Sequence, residues 1–215
     1  MIISIDGPAG SGKSTIADIL AEKLGFIHLN SGSLYRAITA YAIKNNISID
    51  ETTADLLSKL KLEAKFENNI QHTFVENEDY TPYLRDNEVS KLSAMIGKLS
   101  PVRASVDACQ RAFASEHNVV IEGRDIGSFV FPNAEFKFYL DCDVKERAKR
   151  RFKEEQLKGT NVTLKAIETQ LIERDKQDKE RKVAPLVVPK GAIIIDSSKL
   201  SIEQVANKML SHIKL

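Results

Sequence analysis

A glycine-rich motif near the start of the chain constrains its fold more than any other feature. Residues 7–14 read Gly-Pro-Ala-Gly-Ser-Gly-Lys-Ser and fit the pattern G-x-x-x-x-G-K-[ST]. Residues 2–5 form a run typical of a buried strand, and apolar residues recur at helical spacing from 16 to 24, until Gly25. Because backbone N–H groups of such a loop and of the next helix N-terminus point at an anion, the motif predicts nucleoside triphosphate binding.

Two side chains of the motif have expected roles in this chemistry. Lys13 can reach the β- and γ-phosphates, and the Ser14 hydroxyl is a ligand for Mg²⁺. We expect no other metal, because Cys109 and Cys142 have neither CxxC spacing nor a histidine neighbour, and the four histidines are scattered.

The composition indicates a globular protein without a charged macromolecular partner. The chain has 215 residues, a net charge of +1, 28% charged residues and 42% hydrophobic residues. Its apolar runs fall short of the roughly 18 residues of a membrane helix, and its N-terminus lacks the pattern of a signal peptide. We therefore expect a cytoplasmic protein that binds neither nucleic acid nor membrane.

Alternating strand-like and helix-like patterns predict an α/β fold, with a parallel sheet covered by helices on both faces. The strand-like runs are residues 2–5, 26–29, 118–121, 136–140 and 192–195. The helix-like runs after the first are 34–44, which follows a break at 30–33, then 52–60, then 100–116, and a last helix that begins with a capping box from Ser201 to Gln204. Ser100 is the expected N-cap of the third of these, with Pro101 at its first position.

Residues 62–98 interrupt this alternation. They combine β-like runs on either side of an Asn68-Asn69 turn, and they lie between two predicted helices. We interpret them as an inserted subdomain with a small antiparallel sheet and a helix. The remainder is predicted to be one domain that spans residues 1–215.

Phosphate-binding loops serve switches, motors and kinases, and further motifs distinguish these classes. The guanine-reading Asn-Lys-x-Asp is missing, since Asn207-Lys208 has no aspartate after it, and no apolar strand ends in Asp-Glu. Arginines instead recur near strand ends, and we expect Arg36 and Arg124 to point into the same crevice as Lys13. Residues 145–182 add thirteen Lys/Arg against eight Asp/Glu. This distribution favours phosphoryl transfer, which requires alignment and charge neutralisation.

The chain resembles the bacterial-type cytidylate (CMP/dCMP) kinases of the P-loop nucleoside monophosphate kinase superfamily. The matching stretches include Ser-Gly-Ser-Leu-Tyr-Arg at 31–36, Glu-Gly-Arg-Asp-Ile-Gly at 122–127 and, in order along the chain, residues 5–15, 101–103, 130–132, 146–151, 174–181 and 183–186. The resemblance implies a P-loop three-layer α/β/α fold, a monophosphate-binding insert at about 62–98, a short lid at about 145–160 and a monomer. The chain departs from the family at Asn30, where aspartate is usual, and at Ser128, where threonine is frequent.

The resemblance also implies a role for each matched position. Those that would hold the ATP phosphates are Gly7, Pro8, Ala9, Gly10, Ser11, Gly12, Lys13, Ser14 and Thr15. Those that would clamp the CMP phosphate are Arg36, Arg124 and Arg181. Those that would read the cytosine edge are Arg103, Asp125 and Ser93, or Ala94 in place of Ser93. Arg174 and Asp178 would contact the sugar hydroxyls, Tyr35 would pack beside the nucleotide, and Ser31 would also bind the substrate. Those that would stabilise the transferring group are Lys13, Arg124, Arg181 and the mobile-lid arginines Arg147 and Arg151, with Arg150 beside them.

The implied reaction transfers the γ-phosphoryl group of ATP to CMP or dCMP, with Mg²⁺, in pyrimidine nucleotide metabolism. No general base is required, because the acceptor phosphate is already an anionic nucleophile. Glu122 or Asp6 is expected to hold a Mg²⁺-bound water. Two alternatives stay open: a kinase that phosphorylates UMP, AMP or a small metabolite, and an RNA-binding module that uses the basic helices. The low net charge and the lack of an aromatic stacking platform disfavour the second.

Overall fold

The computed structural model describes residues 1–157 and 159–214, which form two sheets and the helices around them. In chain order the elements are β1 (Ile2–Asp6), α1 (Lys13–Leu24), β2 (Ile27–Asn30), α2 (Ser31–Lys44), α3 (Ala54–Ser58), β3 (Leu62–Glu67), β4 (Ile70–Val75), β5 (Glu78–Asp79), a 3₁₀ turn (Thr81–Tyr83), α4 (Asn87–Ile96), α5 (Ser100–Glu116), β6 (Val119–Gly123), a π-helical segment (Ile126–Val130), β7 (Phe136–Asp141), α6 (Val144–Leu157), α7 (Leu164–Glu180), β8 (Ile193–Asp196) and α8 (Ile202–Leu210).

The central sheet has five parallel strands in the order β2-β6-β1-β7-β8. Helices α1 and α8 cover one face, where Leu20 and Met209 pack against strand residues such as Phe138. Helix α5 and the π-helical segment cover the other face, through Ala114 and Ile126. Both faces are apolar because both are buried, as is usual for parallel sheets. The predicted three-layer α/β/α architecture is confirmed.

The insert contains the antiparallel sheet that the sequence predicts. Strands β3, β4 and β5 are adjacent in that order, and the turn between the first two is formed by Asn68 and Asn69, with φ of 50° and 64°. Asparagine tolerates this left-handed conformation better than most residues, which explains why the turn is there. The insert packs on α2, where Val75 and Tyr80 lie against Ala37.

The predicted boundaries stay predictions, namely 62–98 for the insert, 145–160 for the lid and 1–215 for the single domain. Two positions within these ranges, Lys158 and Leu215, lie outside the described residues. Within the described part of the chain, no helix is long and apolar enough to cross a membrane.

Two helix starts differ from their predictions. Residues 30–33 are predicted to form a break, but α2 begins at Ser31, because the side chain of Asn30 accepts a hydrogen bond from the Ser33 N–H.

The prediction that Ser100 caps α5 is wrong by one residue. Leu99 is the N-cap and makes no side-chain hydrogen bond, and Pro101 still lies in the first turn, where a missing N–H costs no helical hydrogen bond.

Asp6 connects the end of β1 to the segment that follows β6. Its Oδ1 accepts a hydrogen bond from the Ile126 N–H and its Oδ2 accepts one from the Gly127 N–H, both at 2.7 Å. Burial raises the pKa of Asp6 to about 6, although these two N–H groups oppose the shift. The carboxylate of Asp6 is therefore used to hold the π-helical segment against the sheet.

We expect Asp6→Asn to lower the free energy of unfolding by about 2 kcal/mol, because the side-chain amide would set an NH₂ group against one of two buried N–H donors. Urea denaturation at pH 7 measures this change. Asp55→Asn, at an exposed position of α3, is the matched control and should stay close to the parent protein. Equal stability changes in the two variants would contradict the role assigned to Asp6.

Candidate active site

The glycine-rich loop connects β1 to α1 at the carboxyl end of the sheet. Gly7, Gly10 and Gly12 have φ of 152°, 75° and 96°, values that residues with a Cβ rarely adopt. A Cβ at Gly7 would lie 2.2 Å from the carbonyl oxygen of Leu140, so that no larger residue fits there. The first turn of a helix leaves backbone N–H groups without partners in the helix, and α1 begins directly at this loop, which gives the site the donors of an anion cradle.

Lys13 is buried inside this loop. Its Nζ donates a hydrogen bond to the carbonyl oxygen of Pro8 at 2.7 Å. Burial lowers the pKa of Lys13 to about 7 and the charge of Arg124 lowers it further, whereas Glu122 and Asp178 oppose the shift. An anionic ligand in the loop would favour the charged ammonium, so ligand binding and protonation of Lys13 are coupled.

The residues beside the loop include oxygen donors that fit Mg²⁺. The Ser14 hydroxyl donates to Glu122 Oε1 at 2.5 Å. Burial alone would raise the pKa of Glu122, but Lys13 and the neighbouring donors hold it below its ordinary value, so the carboxylate is ionised. Among the described residues no group of three or more His, Cys, Asp or Glu could hold a metal. A Mg²⁺ ion here would therefore be shared between Ser14, Glu122 and phosphate oxygens, a set typical of this ion.

Asp178 of α7 holds two arginines near the same edge of the sheet. Its Oδ2 is 2.9 Å from Arg124 Nε and 3.4 Å from Arg174 Nε. Arg36 lies near the same group: burial lowers its pKa, Glu122 opposes this shift, and the charges of Arg124, Arg174 and Arg151 lower the pKa further. Positive charge exceeds negative charge in this cluster, which suits it to a phosphate group.

Asp125, just after β6, holds two arginines from other elements. Its Oδ2 accepts a hydrogen bond from Arg103 Nη2, and its Oδ1 lies 3.0 Å from Arg181 Nη2. The guanidinium of Arg103 also lies 5.6 Å from the ring centre of Tyr35 and 5.9 Å from that of Phe129. A carboxylate, a guanidinium and two aromatic rings thus lie close together, a set with donors and acceptors suited to the edge of a planar ring.

Comparison with known proteins agrees with this arrangement. A family model described as cytidylate kinase matches residues 3–215. The cytidylate kinase of Thermotoga maritima is 40% identical over 212 residues, which cover 99% of this chain and 96% of that protein. The cytidylate kinase of Caldicellulosiruptor bescii is 41% identical over 210 residues, which cover 97% and 93% of the two chains.

The chain belongs to the cytidylate kinase family. This result confirms the resemblance and the prediction of a nucleotide-binding kinase. A solved structure of an uncharacterized protein from Eubacterium ventriosum has a TM-score of 0.56 at 14% identity, and the match covers 99% of this chain and 98% of that one. It supports the fold.

In this cytidylate kinase family member, Arg147 makes three polar contacts that anchor helix α6. Its Nε donates to the Cys142 carbonyl and its Nη1 to the Ala9 carbonyl, both at 2.9 Å, and its Nη2 is 2.6 Å from Asp175 Oδ2. The side chain is buried and all three of its nitrogens are engaged. Arg147 therefore connects α6 to the phosphate-binding loop and to α7, and its role in a mobile lid stays a prediction.

The other two arginines of the predicted lid are less constrained. Arg150 Nη2 donates to the Ser197 carbonyl at 2.7 Å, close to the phosphate-binding loop. Arg151 is half exposed, and its Nε lies 3.5 Å from Glu155 Oε1, one helical turn away. Glu155 itself is buried, so this ion pair joins a half-exposed arginine to a buried carboxylate.

The hydroxyls of Ser31 and Ser93 bind backbone carbonyl groups in this structure. Ser31 Oγ donates to the carbonyl of Glu122 at 2.7 Å, and Ser93 Oγ donates to that of Ser90 at 3.1 Å. Ser93 is buried, whereas its neighbour Ala94 is partly exposed on α4. Their predicted contacts with substrate therefore stay predictions.

Sequence reasoning missed Gln71, which connects the insert to the phosphate side of the site. Its Oε1 accepts from the Asn30 N–H at 2.7 Å, and its Nε2 donates to the Asn30 carbonyl at 3.4 Å. Asn30 in turn caps the helix that carries Arg36. A single glutamine in a half-exposed strand has no sequence signal that distinguishes it from a solvent-facing residue.

Proposed function

We propose that this protein transfers the γ-phosphoryl group of ATP to CMP or dCMP and releases ADP with CDP or dCDP. The observation that carries this proposal is the juxtaposition of a phosphate-binding loop with two arginine–carboxylate groups at one edge of the sheet. The family relationship supports a cytidine monophosphate as the acceptor. We place the reaction in the cytoplasm and expect the protein to act as a monomer.

Binding of the acceptor would exchange ion pairs within the protein for ion pairs with substrate. Arg36, Arg124 and Arg181 would hold the acceptor phosphate, so Arg181 has to leave Asp125. The freed carboxylate oxygen of Asp125 can then accept the amino protons of cytosine, while Arg103 donates to the ring acceptors O2 and N3. The enzyme thereby couples phosphate recognition to recognition of the base.

The other predicted substrate contacts follow from the same geometry. Arg174 and Asp178, which pair with each other, would bind the sugar hydroxyls. Tyr35 would pack beside the base, a role supported by the position of its ring against Arg103. Ser31 lies at the start of α2, and Ser93 or Ala94 would complete the base contacts from the insert.

Transfer itself requires positioning and charge neutralisation rather than a nucleophilic side chain. Lys13 and the Arg36, Arg124 and Arg181 group bind oxygens on both sides of the transferring phosphoryl group. When bound with ATP, Mg²⁺ supplies further neutralisation of phosphate charge, and Ser14 and Glu122 are the residues that fit it. Closure of the segment that carries Arg150 and Arg151 would exclude water and suppress hydrolysis of ATP.

A coupled assay of ADP release with Mg·ATP and each of CMP, dCMP, UMP, AMP and GMP tests this proposal. We expect rapid turnover with CMP and dCMP only, and little ADP release without a monophosphate. Selective use of another base would contradict the roles of Arg103 and Asp125. Equal ADP release with and without any monophosphate would contradict the kinase mechanism.

A further inference from the structure

Helix α5 buries three polar side chains on one face, next to its apolar core residues. Arg103, Asp107 and Gln110 are 2%, 3% and 1% exposed. Their spacing of four and three residues places them one above another on the helix. Only Arg103 has a role in the proposed reaction, so the other two need an explanation.

One carboxylate oxygen of Asp107 is buried without a hydrogen-bond partner. Within residues 1–157 and 159–214, the same holds on this helix face for Arg103 Nε and Gln110 Oε1. Burial raises the pKa of Asp107 to about 6, and its charged neighbours act on it from each element packed there. These neighbours are Arg103 and Arg111 on α5, Asp125 after β6, Arg181 after α7 and, as a further ionisable group, Tyr35 on α2.

An unpartnered buried carboxylate oxygen is costly, so a partner for it is expected. The same holds for the Nε of Arg103, whose Nη1 and Nη2 are already engaged by the Gly97 carbonyl and by Asp125. Arg103 and Asp107 are four residues apart on one helix face, a separation at which a rotamer change brings an arginine and an aspartate into contact.

We propose that Asp107 is a positioning residue, which takes over Arg103 when Asp125 turns to the nucleobase of the acceptor. This inference rests on the proposed function. In the substrate-free state Asp125 orients Arg103, but Asp125 cannot hold Arg103 fully and also accept the amino group of the base. A second carboxylate on the other side of the guanidinium keeps Arg103 oriented and charged, while its outer nitrogens donate to the base. Asp107 is the carboxylate placed to do so.

Steady-state kinetics of Asp107→Asn test the proposal. We expect KM for CMP to rise about tenfold with kcat changed less than about threefold, because an interaction that positions the substrate, not the transferring group, is lost. The ratio of kcat/KM for CMP to that for UMP should fall by a similar factor. Asp107→Glu, which keeps the carboxylate, should recover part of the loss. Gln110→Met, on the same face, alters buried polarity without altering charge and should leave KM close to that of the parent protein.

The pH dependence of CMP binding without ATP gives a readout that a purely structural role would not move. Isothermal titration calorimetry from pH 5.5 to 8 yields Kd for the parent protein and Asp107→Asn, and their ratio cancels the titration of the CMP phosphate itself. The ratio should be near one at pH 5.5, where Asp107 is mostly protonated, and should rise with pH as the carboxylate becomes able to hold Arg103. A ratio that stays constant would overturn the proposal.

Further outcomes separate this inference from the function on which it rests. Failure of the parent protein to phosphorylate CMP would contradict the proposed function. Normal CMP turnover by the parent, with the same KM in Asp107→Asn, would overturn only the role of Asp107. A rise of KM in Gln110→Met as large as that in Asp107→Asn would overturn it too. Thermal unfolding monitors the fold of each variant, and Asp107→Ser replaces Asp107→Asn in the same measurements if the latter does not fold.

Discussion

Replacement of Arg181 by alanine is expected to lower kcat for CMP phosphorylation by about 10²- to 10⁴-fold, the range found for arginines that stabilise a transferring phosphoryl group. The side chain is buried and its Nε is anchored to the Ala184 carbonyl at 2.5 Å. Its Nη2 lies 3.0 Å from Asp125 Oδ1, yet it is not aligned for a hydrogen bond. This nitrogen can therefore turn to a phosphate oxygen without the loss of an optimal bond.

Steady-state kinetics of Arg181→Ala with CMP and ATP provide the measurement. Lys182→Ala is the matched control, since it removes one positive charge from the adjacent exposed position. We expect the control to stay within about twofold of the parent protein, because exposed charges have small effects. If Arg181→Ala retained kcat within a few-fold, Arg181 would only support the local structure.

Lys13→Ala is expected to lower kcat by about 10³-fold, because it removes a buried positive group directed at the phosphates. The thermal stability of Lys13→Ala should decrease far less than its activity, since the ammonium of Lys13 is costly to bury without a bound anion. Coupled-assay kinetics and thermal unfolding measure the two effects. Lys23→Ala, exposed near the end of α1, is the control and should change neither. Turnover of Lys13→Ala close to that of the parent would remove Lys13 from the mechanism.

The pKa of Lys13 adds an independent check. At pH 8 the free protein holds Lys13 mostly neutral, since its pKa is lowered to about 7. Contact with phosphate raises that pKa again, so binding of Mg·ATP at pH 8 should take up close to one proton, and less as the pH falls below 7. Calorimetry in buffers of different ionisation enthalpy measures this uptake. The same uptake in Lys13→Ala would assign the proton to another group.

The phosphate-binding loop and the insert could be predicted from sequence because their backbones require particular residues. Gly7 and Gly12 occupy conformations that side chains disfavour, and Asn68 and Asn69 form a turn that few residues tolerate. The start of α2 differs from its prediction because residues 30–33, whose polar character predicts a break, include Asn30, which caps the helix. Polar residues before a helix indicate a boundary without fixing its position.

The side-chain pairing within the site could not be predicted in the same way. Asp125 and Asp178 are predicted site residues, but that each joins two arginines depends on how β6, α5 and α7 pack together. Asp107 follows the core residue Val106, and nothing in its local pattern indicates that it is buried. Arg147 looked like its neighbours in a basic helix, and only the tertiary structure shows that it reaches the Ala9 carbonyl.

The bonds between Gln71 and Asn30 have a consequence for the sheet as a whole. Strand β2 is an edge strand, and an edge strand with open N–H and C=O groups can pair with a strand of another chain. The side-chain amide of Gln71 binds both backbone groups of Asn30, as a neighbouring strand would do. The insert, which we propose to recognise the acceptor, thus also covers the end of this edge strand and hinders its pairing with a strand of another chain.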